Sequence, residues 1–237
     1  MMDLIAVMKR YELKYLLNAA QTAFLKERLK NRMALDQYGR TSVASLYYDT
    51  PDFRLIRASM EKPAFKEKIR LRSYGLATSG SAVYLELKRK AGGIVYKRRV
   101  QSTVAGADAF FTGGAALYAD GQIAREITYF RDYYGALSPA CLIVCDREAY
   151  YEPGGDLRLT IDYNPRQRME RLSLTYSLQG RLLLPPGHTI LEVKAQEAVP
   201  LWLAKILSEG QIYETGFSKY GEAFRQRLLS AGQTAAA

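Results

Sequence analysis

The sequence is poor in cysteine and histidine, and this scarcity argues against several kinds of site. Among 237 residues there are two cysteines and one histidine. Cys141 and Cys145 lie in one apolar run, ACLIVC, whose spacing suits neither a zinc pair nor a disulfide framework. We therefore expect buried thiols in a protein of the reducing cytoplasm. The single His188 follows Pro186 and Gly187, so we expect it in a turn, and a catalytic triad or a zinc site is not favoured.

Long apolar runs are also missing. No stretch approaches the roughly eighteen residues that a transmembrane helix needs, so no membrane span is predicted. The first residues, MMDLIAVMKR, lack the basic-then-apolar order of a secretion signal. There is no internal repeat, low-complexity linker or sharp change of composition. We therefore expect a single domain over residues 1–231, followed by a disordered tail at 232–237.

Positive charge is what the chain has in excess. It contains 34 Lys and Arg against 24 Asp and Glu, which gives a formal net charge of +10. Such an excess favours an anionic partner, which could be a phosphate chain, a nucleotide, a nucleic acid or an acidic membrane surface. A merely basic surface explains composition equally well, so the pattern of the charges has to decide.

That pattern is an alternation of charged and apolar residues along several segments, as in β-strands. The segments 9–17, 65–72 and 83–90 show it best. One face of 65–72 carries only Lys and Arg, and the exception on the other face is Glu67; the basic face is Lys66, Lys68, Arg70 and Arg72. Further strands are predicted over 43–50, 94–101, 141–151, 157–162 and 189–194, with one or two more within 166–184. Helices are predicted over 19–34 (with Asn18 as N-cap), 105–118, 121–134, 197–209 and 218–231.

The alternation alone leaves two arrangements open. In an ordinary antiparallel sheet the charged faces would lie in water and the apolar faces in the core. However, the amphipathic helices need an apolar surface to cover, and the apolar strand faces supply one. If the helices coat the outside, the charged faces point inward, and a curled sheet would enclose a polar cavity. Buried charges need partners, and a polyanion with its metal ions would provide them.

The segments that carry these residues resemble the VTC domain of polyphosphate polymerases, within the CYTH-like triphosphate tunnel metalloenzymes. The matching pieces are RYELKYLL at 10–17, SLYYDTPD at 45–52, KIRLR at 68–72, YLELKRK at 84–90, DREAYY at 146–151, RLTID at 158–162, ILEVK at 190–194 and FSKY at 217–220. They occur in the family's order and span nearly the whole chain. The resemblance implies an α+β fold: a closed antiparallel eight-stranded β-tunnel with helices packed on its outside.

The resemblance also implies roles for individual residues. The inward basic residues would hold the triphosphate of ATP and the growing chain; the candidates for catalysis are Lys14, Arg70, Arg72, Lys88, Arg147 and Arg158, and those for phosphate binding are Lys97, Arg99, Lys194, Ser218 and Lys219. Mn²⁺ or Mg²⁺ would be held by Glu192, with Glu12 and Glu86 either assisting through water or balancing the charge of the cavity. Asp162 is expected to be a structural partner of an arginine. Ser218 would also act at the start of the last helix, where free N–H groups favour anions.

Two departures from the family pattern bear on the activity. The acid-rich ExExK opening of the triphosphatase relatives corresponds here to Arg10-Tyr11-Glu12-Leu13-Lys14, so the first acid is replaced by a base. This replacement argues for the polymerase branch. The position two before Ser218 is Gly216, where some polymerases carry another basic residue. We expect a weaker grip on phosphate at that end of the tunnel.

The leading hypothesis is therefore an ATP-dependent polyphosphate polymerase, with ATP and polyphosphate or pyrophosphate as its partners. A triphosphatase of the same fold and a non-catalytic module that binds polyphosphate or inositol phosphate are the alternatives. Nucleic-acid binding is not favoured, because the basic residues lie on alternating strand faces rather than on one helix or an aromatic platform. The chain has no predicted span of its own, and a membrane protein that receives the product remains an open partner.

Overall fold

The computed structural model describes residues 11–61, 63–92, 94–117, 121–196 and 198–235. These residues form an α+β fold with a large antiparallel sheet and helices. In chain order the elements are β1 Tyr11–Leu17, α1 Ala19–Leu29, β2 Ala34–Leu35, β3 Thr41–Asp49, α2 Arg54–Met60, β4 Phe65–Tyr74, β5 Ala82–Ala91, β6 Ile94–Thr103, α3 Val104–Gly113, α4 Gln122–Tyr134, β7 Ser138–Tyr151, β8 Arg158–Arg168, β9 Arg181–Leu182, β10 Thr189–Ala195, α5 Leu201–Glu209 and α6 Lys219–Ala235.

The sheet has ten strands and is not closed. Eight strands follow one path in the order β1-β10-β8-β7-β3-β4-β5-β6, and the short β2 and β9 pair with β7 and β8. No ladder joins β1 to β6 among the described residues, so the closed eight-stranded barrel is not confirmed. The free edge of β1 is instead occupied by a loop: Glu214 bridges Tyr15, and the Thr215 N–H donates to the Lys14 carbonyl at 2.7 Å.

The strands predicted from alternation are all present, with small shifts at their ends. The main difference is β8, which continues six residues past the predicted end at 162, to Arg168. Asn164 and Pro165 resemble a turn in the sequence, and Asn164 does adopt a positive φ of 46°. The ladder nevertheless continues through an irregularity opposite Val144–Asp146, so the strand bends instead of ending. Helix α2 and strand β2 were not predicted because both are short.

Helices α1 and α5 cover the apolar outer face of β1, β10 and β8. Helix α1 begins with a capping box, in which Asn18 and Gln21 each bond to the other's backbone N–H. Leu25 and Leu29 of α1 are fully buried against this face, and each contributes about 1.5–3 kcal/mol of apolar burial. Helices α3 and α4 cover β3, β4 and β5 in the same way, through Phe110, Ile127 and Phe130 in a second core.

Helix α6 departs from the prediction that the helices lie outside the sheet. Tyr220 and Phe224 of this helix pack with Tyr47, Cys141 and Ile143, and two of these strand residues, Tyr47 and Ile143, also line the central cavity. The rings of Tyr47 and Tyr220 stack at 4.7 Å between centroids. The inner face of the sheet is apolar here, so an amphipathic helix can pack against it and fill one end of the enclosed space.

Three further expectations concern the cysteines, membrane crossing and the ends of the chain. Cys141 and Cys145 are buried free thiols, as predicted. Across the described residues, no helix has both the length and the apolar character that a bilayer crossing demands. Helix α6 continues to Ala235, past the predicted domain end at 231. Residues 9–10 and 236–237 of the predicted first strand and tail lie outside the described part of the chain.

Candidate functional site

The concave face of the sheet encloses a cavity of about 390 Å³. Ten of the residues that line it are Lys or Arg and three are Glu. The charged lining residues are Lys14 and Glu12 on β1, Lys68, Arg70 and Arg72 on β4, Glu86 and Lys88 on β5, Lys97 and Arg98 on β6, Arg147 on β7, Glu192 and Lys194 on β10, and Lys219 on α6. Seven elements thus contribute charged side chains to one space.

Strand β4 shows how period-two alternation builds this wall. Arg70 and Arg72 face the cavity, whereas Glu67 lies on the other face and accepts hydrogen bonds from Arg89 and from the Tyr134 hydroxyl. The acid that broke the sequence pattern therefore belongs to a separate network under α4. Arg98 joins that network, because its Nε donates to Glu126 at 2.8 Å although the residue borders the cavity.

Glu86 is the centre of a first cluster of cations. Its carboxylate lies 2.8 Å from Arg70 Nη2, 3.7 Å from Arg72 Nη1, 2.8 Å from Lys97 Nζ and 3.0 Å from Arg99 Nε. Burial favours the neutral acid, but the charges of Arg70 and Arg72 prevail and lower the pKa of Glu86. Tyr47 completes the cluster, since its hydroxyl accepts from Arg70 Nη1 at 3.0 Å. The carboxylate thus fixes the two arginines in place.

Asp162 and Glu192, on neighbouring strands, organise a second cluster. Asp162 is fully buried and accepts a two-pronged bond from Arg147, at 2.5 and 2.7 Å. Lys219 Nζ lies 2.5 Å from Asp162 and 3.2 Å from Glu192, and Lys194 lies 3.4 Å from Glu192. Burial opposes ionisation of both acids, but Lys219 and the other cations lower the pKa of each below its usual range. Asp162 is therefore the structural partner of an arginine, as expected.

Glu12 forms the third centre, at the open side of the sheet. Its carboxylate lies 2.9 Å from Lys88 Nζ and 3.3 Å from Lys14 Nζ. Burial favours the neutral form, yet Lys88 and Lys14 lower the pKa of Glu12 to about 2 even though the charge of Glu192 opposes them. The register pairs Glu12 with Lys194 and Lys14 with Glu192, so the two glutamates are diagonal neighbours.

Most of the predicted site residues meet in this cavity. Those that line it are Lys14, Arg70, Arg72, Lys88, Arg147, Lys97, Lys194, Ser218, Lys219, Glu192, Glu12 and Glu86. Arg99 reaches the same cluster through Glu86, and its guanidinium lies 4.0 Å from the ring centre of Tyr84. Arg158 is exposed at the start of β8, over the ring of Tyr151, and is not one of the lining residues. Its role in catalysis stays a prediction.

Among the lining residues that were not predicted as site residues, three contact or neighbour the arginines of β4: Lys68, Tyr47 and Ser45. Ser45 accepts a hydrogen bond from Arg72 Nε at 3.3 Å. The signal for all three is their parity, since Lys68 shares a face with Arg70, and Ser45 and Tyr47 share one on β3. Ser218, a predicted site residue, has two positions to fill at the start of α6. Its Oγ accepts a hydrogen bond from the Gly221 N–H at 3.2 Å, and the residue also lines the cavity.

The acids of the cavity fit a divalent metal that is shared with phosphate. No group of three or more His, Cys, Asp or Glu that could hold a metal occurs in the described residues. Mg²⁺ and similar ions are commonly held by one or two carboxylates together with substrate phosphates. Glu12 and Glu192 are neighbouring carboxylates whose lowered pKa values keep them ionised, so they suit this arrangement. Glu86 is surrounded by four cations and suits charge balance better than metal binding.

Two solved structures and one family model are similar to this chain. A candidate adenylate cyclase from Bacillus halodurans is 15% identical, with 89% of this chain and 96% of that one covered and a TM-score of 0.56. HpAC1 from Hippeastrum, a candidate adenylyl cyclase with a dominant triphosphatase activity, is 17% identical, with 91% and 94% covered and a TM-score of 0.51. These likenesses concern the fold, and no curated protein matches the chain. The model of the VTC domain family matches residues 9–227. The chain therefore belongs to the VTC domain family and shares the fold of the CYTH-like triphosphate tunnel proteins.

Proposed function

We propose that this protein is a metal-dependent phosphotransferase that moves the γ-phosphoryl group of ATP onto a growing polyphosphate chain. The observation that carries the proposal is the excess of cations around the enclosed cavity. Only three glutamates accompany ten Lys and Arg in its lining, and Asp162 adds one more carboxylate behind them. A chain of phosphates is the kind of ligand whose charge would neutralise this excess along its length.

The spacing of the cations supports a ligand that repeats. Arg70 and Arg72 lie two residues apart on one face, which places them roughly 6.5–7 Å apart along the strand. Phosphates joined by one bridging oxygen lie closer together than this, so the two arginines suit phosphate groups that are not adjacent on one chain. Arginine can hold two non-bridging oxygens of one phosphate at once, whereas lysines such as Lys88 act as point charges.

The chemistry asks mainly for position and for charge stabilisation of the transferring group. Arg70 and Arg72 are held by Glu86, and Arg147 and Lys219 are held by Asp162, so the donors are fixed before a substrate arrives. Mn²⁺ or Mg²⁺, held by Glu192 and Glu12 with phosphate oxygens, would neutralise charge on the substrate.

The direct test is the product. Purified protein with ATP and Mn²⁺ is expected to form long polyphosphate that an exopolyphosphatase digests. Arg72→Met should abolish the product, because Arg72 is 8% exposed and lines the cavity. Arg57→Met, on the exposed side of α2, is the matched control and should leave synthesis unchanged. Formation of only ADP and phosphate would rule out polymerisation.

A triphosphatase is the second candidate, and one observation favours it. HpAC1, which shares the fold, has a dominant triphosphatase activity. Against it stands Arg10, which replaces the first acid of the triphosphatase motif and lies outside the described residues. Hydrolysis of inorganic tripolyphosphate without chain growth would support this candidate. Binding of tripolyphosphate that survives Glu192→Ala, with no turnover in any metal, would instead support a binding module.

The remaining expectations belong to the same proposal. We place the reaction in the cytoplasm, with ATP and polyphosphate or pyrophosphate as the partners and no role for nucleic acid. A membrane protein that receives the polyphosphate product is a further partner of this proposal. Retention of a single strand or duplex by the purified protein at moderate salt would count against this assignment.

A further inference from the structure

Lys68 differs from every other cation in the wall of the cavity. Of the ten Lys and Arg that line it, nine form an ion pair with a carboxylate, and Lys68 is the one without such a pair among the described residues. Its ammonium group also makes no hydrogen bond within that part of the chain. An absence of partners is unusual for a lysine in an enclosed site.

The surroundings of Lys68 explain why no acid reaches it. It lies opposite Lys88 in the β4–β5 ladder, and the charges that act on it come from Lys88, Lys14, Arg70 and the hydroxyl of Tyr47. Burial, reinforced by these cations, lowers the pKa of Lys68 to about 8. Three of the four neighbours are thus positively charged, and the fourth is a phenol.

An unpaired ammonium group in such a place is costly to the folded protein. A structural lysine would be expected to have a partner in the protein, as the other nine have. The partner of Lys68 must therefore be a ligand, and its neighbours require that ligand to be anionic. Phosphate oxygens match this requirement, since Arg70 lies on one side and the Lys14–Lys88 pair on the other.

We infer that Lys68 is a further phosphate-binding residue, which holds one phosphate group of the chain between Arg70 and the Lys14–Lys88 pair. The inference rests on the proposed function, because it assumes a phosphate chain in the cavity. It goes beyond that function by assigning a contact at the point where three cations and Tyr47 converge. Without the ligand, the charges of Lys68, Lys88, Lys14 and Arg70 repel one another; with it, these four cations gain a common partner.

The test measures binding of inorganic tripolyphosphate in EDTA, where no turnover occurs. Lys68→Met keeps the length of the side chain and removes its charge, and we expect about a 10- to 100-fold weaker affinity by calorimetry, the range of a charged hydrogen bond. Lys68→Arg should retain most of the affinity. Lys90→Met, two residues beyond Lys88 on the same face of β5 and outside the cavity lining, is the matched control and should change affinity less than twofold.

A second readout separates binding from a structural role. Because a bound phosphate favours the charged amine, tripolyphosphate should cause the wild-type protein to take up protons near pH 8, visible as a dependence of the heat on the buffer. Lys68→Met should lose part of this uptake and should remain folded by thermal denaturation. If the wild type fails to bind tripolyphosphate, the proposed function fails. If the wild type binds and Lys68→Met binds equally well with the same proton uptake, the role of Lys68 alone is wrong.

Discussion

Lys88 and Glu12 form an ion pair at 2.9 Å although their strands, β5 and β1, share no ladder in the described residues. The pair spans the side on which the sheet is open, so side chains make there the connection that hydrogen-bonded strands would make in a closed barrel. Lys14 joins the same carboxylate from β1 at 3.3 Å. One glutamate therefore occupies two cations that a phosphate would also use.

Glu12→Gln should consequently have opposite effects on binding and turnover. When Glu12 loses its negative charge, Lys14 and Lys88 become free to bind phosphate. The affinity for tripolyphosphate in EDTA should then rise about three- to tenfold, or ~0.7–1.4 kcal/mol. Activity with Mn²⁺ should fall, because a metal-binding carboxylate is lost. Calorimetry and a turnover assay measure the two effects. Glu27→Gln, which breaks the exposed pair between Glu27 of α1 and Lys30 just after it, should change neither quantity. A parallel loss of affinity and activity would contradict the assignment.

Asp162→Asn should destabilise the protein until a phosphate ligand is added. Asp162 is fully buried between Arg147 and Lys219, and removal of its charge leaves these two cations to share Glu192 as their remaining carboxylate, at a cost of about 3–5 kcal/mol. Tripolyphosphate would supply a new anionic partner for both cations. Urea unfolding with and without tripolyphosphate should therefore show a larger stabilisation by ligand in the variant than in the wild type. An equal ligand effect would mean that Arg147 and Lys219 do not bind phosphate.

Arg70→Lys should lower kcat/KM at least about a hundredfold while Arg89→Lys should not. The guanidinium of Arg70 contacts Glu86 and Tyr47 at the same time, and a lysine cannot reproduce both contacts and still hold phosphate with two donors. Arg89 undergoes the same change on the outer face, where it pairs with Glu67 and Glu126. Steady-state kinetics compares the two variants. Similar losses would show that the effect comes from general damage to the sheet.

The affinity for phosphate should fall as the pH rises through about 8. Burial lowers the pKa of Lys68 and of Lys97 to about 8, and the charges of Arg70 and Lys68 lower that of Tyr47 to about 8 although burial opposes this. Deprotonation of each group makes the cavity less positive. Tripolyphosphate affinity measured from pH 7 to 9 should decline more steeply in the wild type than in Lys97→Met. A pH-independent affinity would mean that these groups do not face the ligand.

The free energy of unfolding of the ligand-free protein should rise between pH 8 and 9, whereas the affinity for phosphate falls. The three groups have lower pKa values in the folded state than the ordinary 10.5 of lysine and 10.0 of tyrosine, so the unfolded chain binds more protons in this window. The free energy of unfolding therefore increases with pH from these groups. Above pH 9 the buried thiols of Cys141 and Cys145, whose pKa values burial raises, act in the opposite direction. Thermal unfolding in phosphate-free buffer should show the rise, and Lys68→Met should show less of it.

The wall of the cavity could be predicted from the sequence because strand geometry is strict. Side chains two residues apart share a face, so Arg70 and Arg72 had to point the same way, and the opposite, apolar face is the one that α1, α3, α4 and α5 cover. The role of Lys68 could not be predicted, because the lack of a carboxylate depends on which residues lie across the ladder and across the cavity. Its neighbours Lys14 and Tyr47 come from distant parts of the chain.

The position of α6 and the open side of the sheet could not be predicted from the sequence, for a different reason. An amphipathic pattern shows that residues 218–231 have an apolar face, but it does not say which apolar surface that face meets. Cys141 and Ile143 interrupt the charged inner face with apolar side chains, and Phe224 packs with them. The open side likewise depends on the loop at 214–215, which takes the edge of β1 by backbone bonds that any residue could make.

Helix α6 has a mechanical consequence. It begins at Lys219, which contacts Asp162 and Glu192, and its buried part ends near Phe224. Beyond that point it continues to Ala235 with Leu228 and Leu229 exposed, and its 17 residues span about 25 Å. An α-helix of this length behaves as a stiff rod. Tyr220 and Phe224 hold the packed half of the helix in place. A tilt of the exposed half would therefore also displace Lys219, whose ammonium group contacts Asp162 and Glu192.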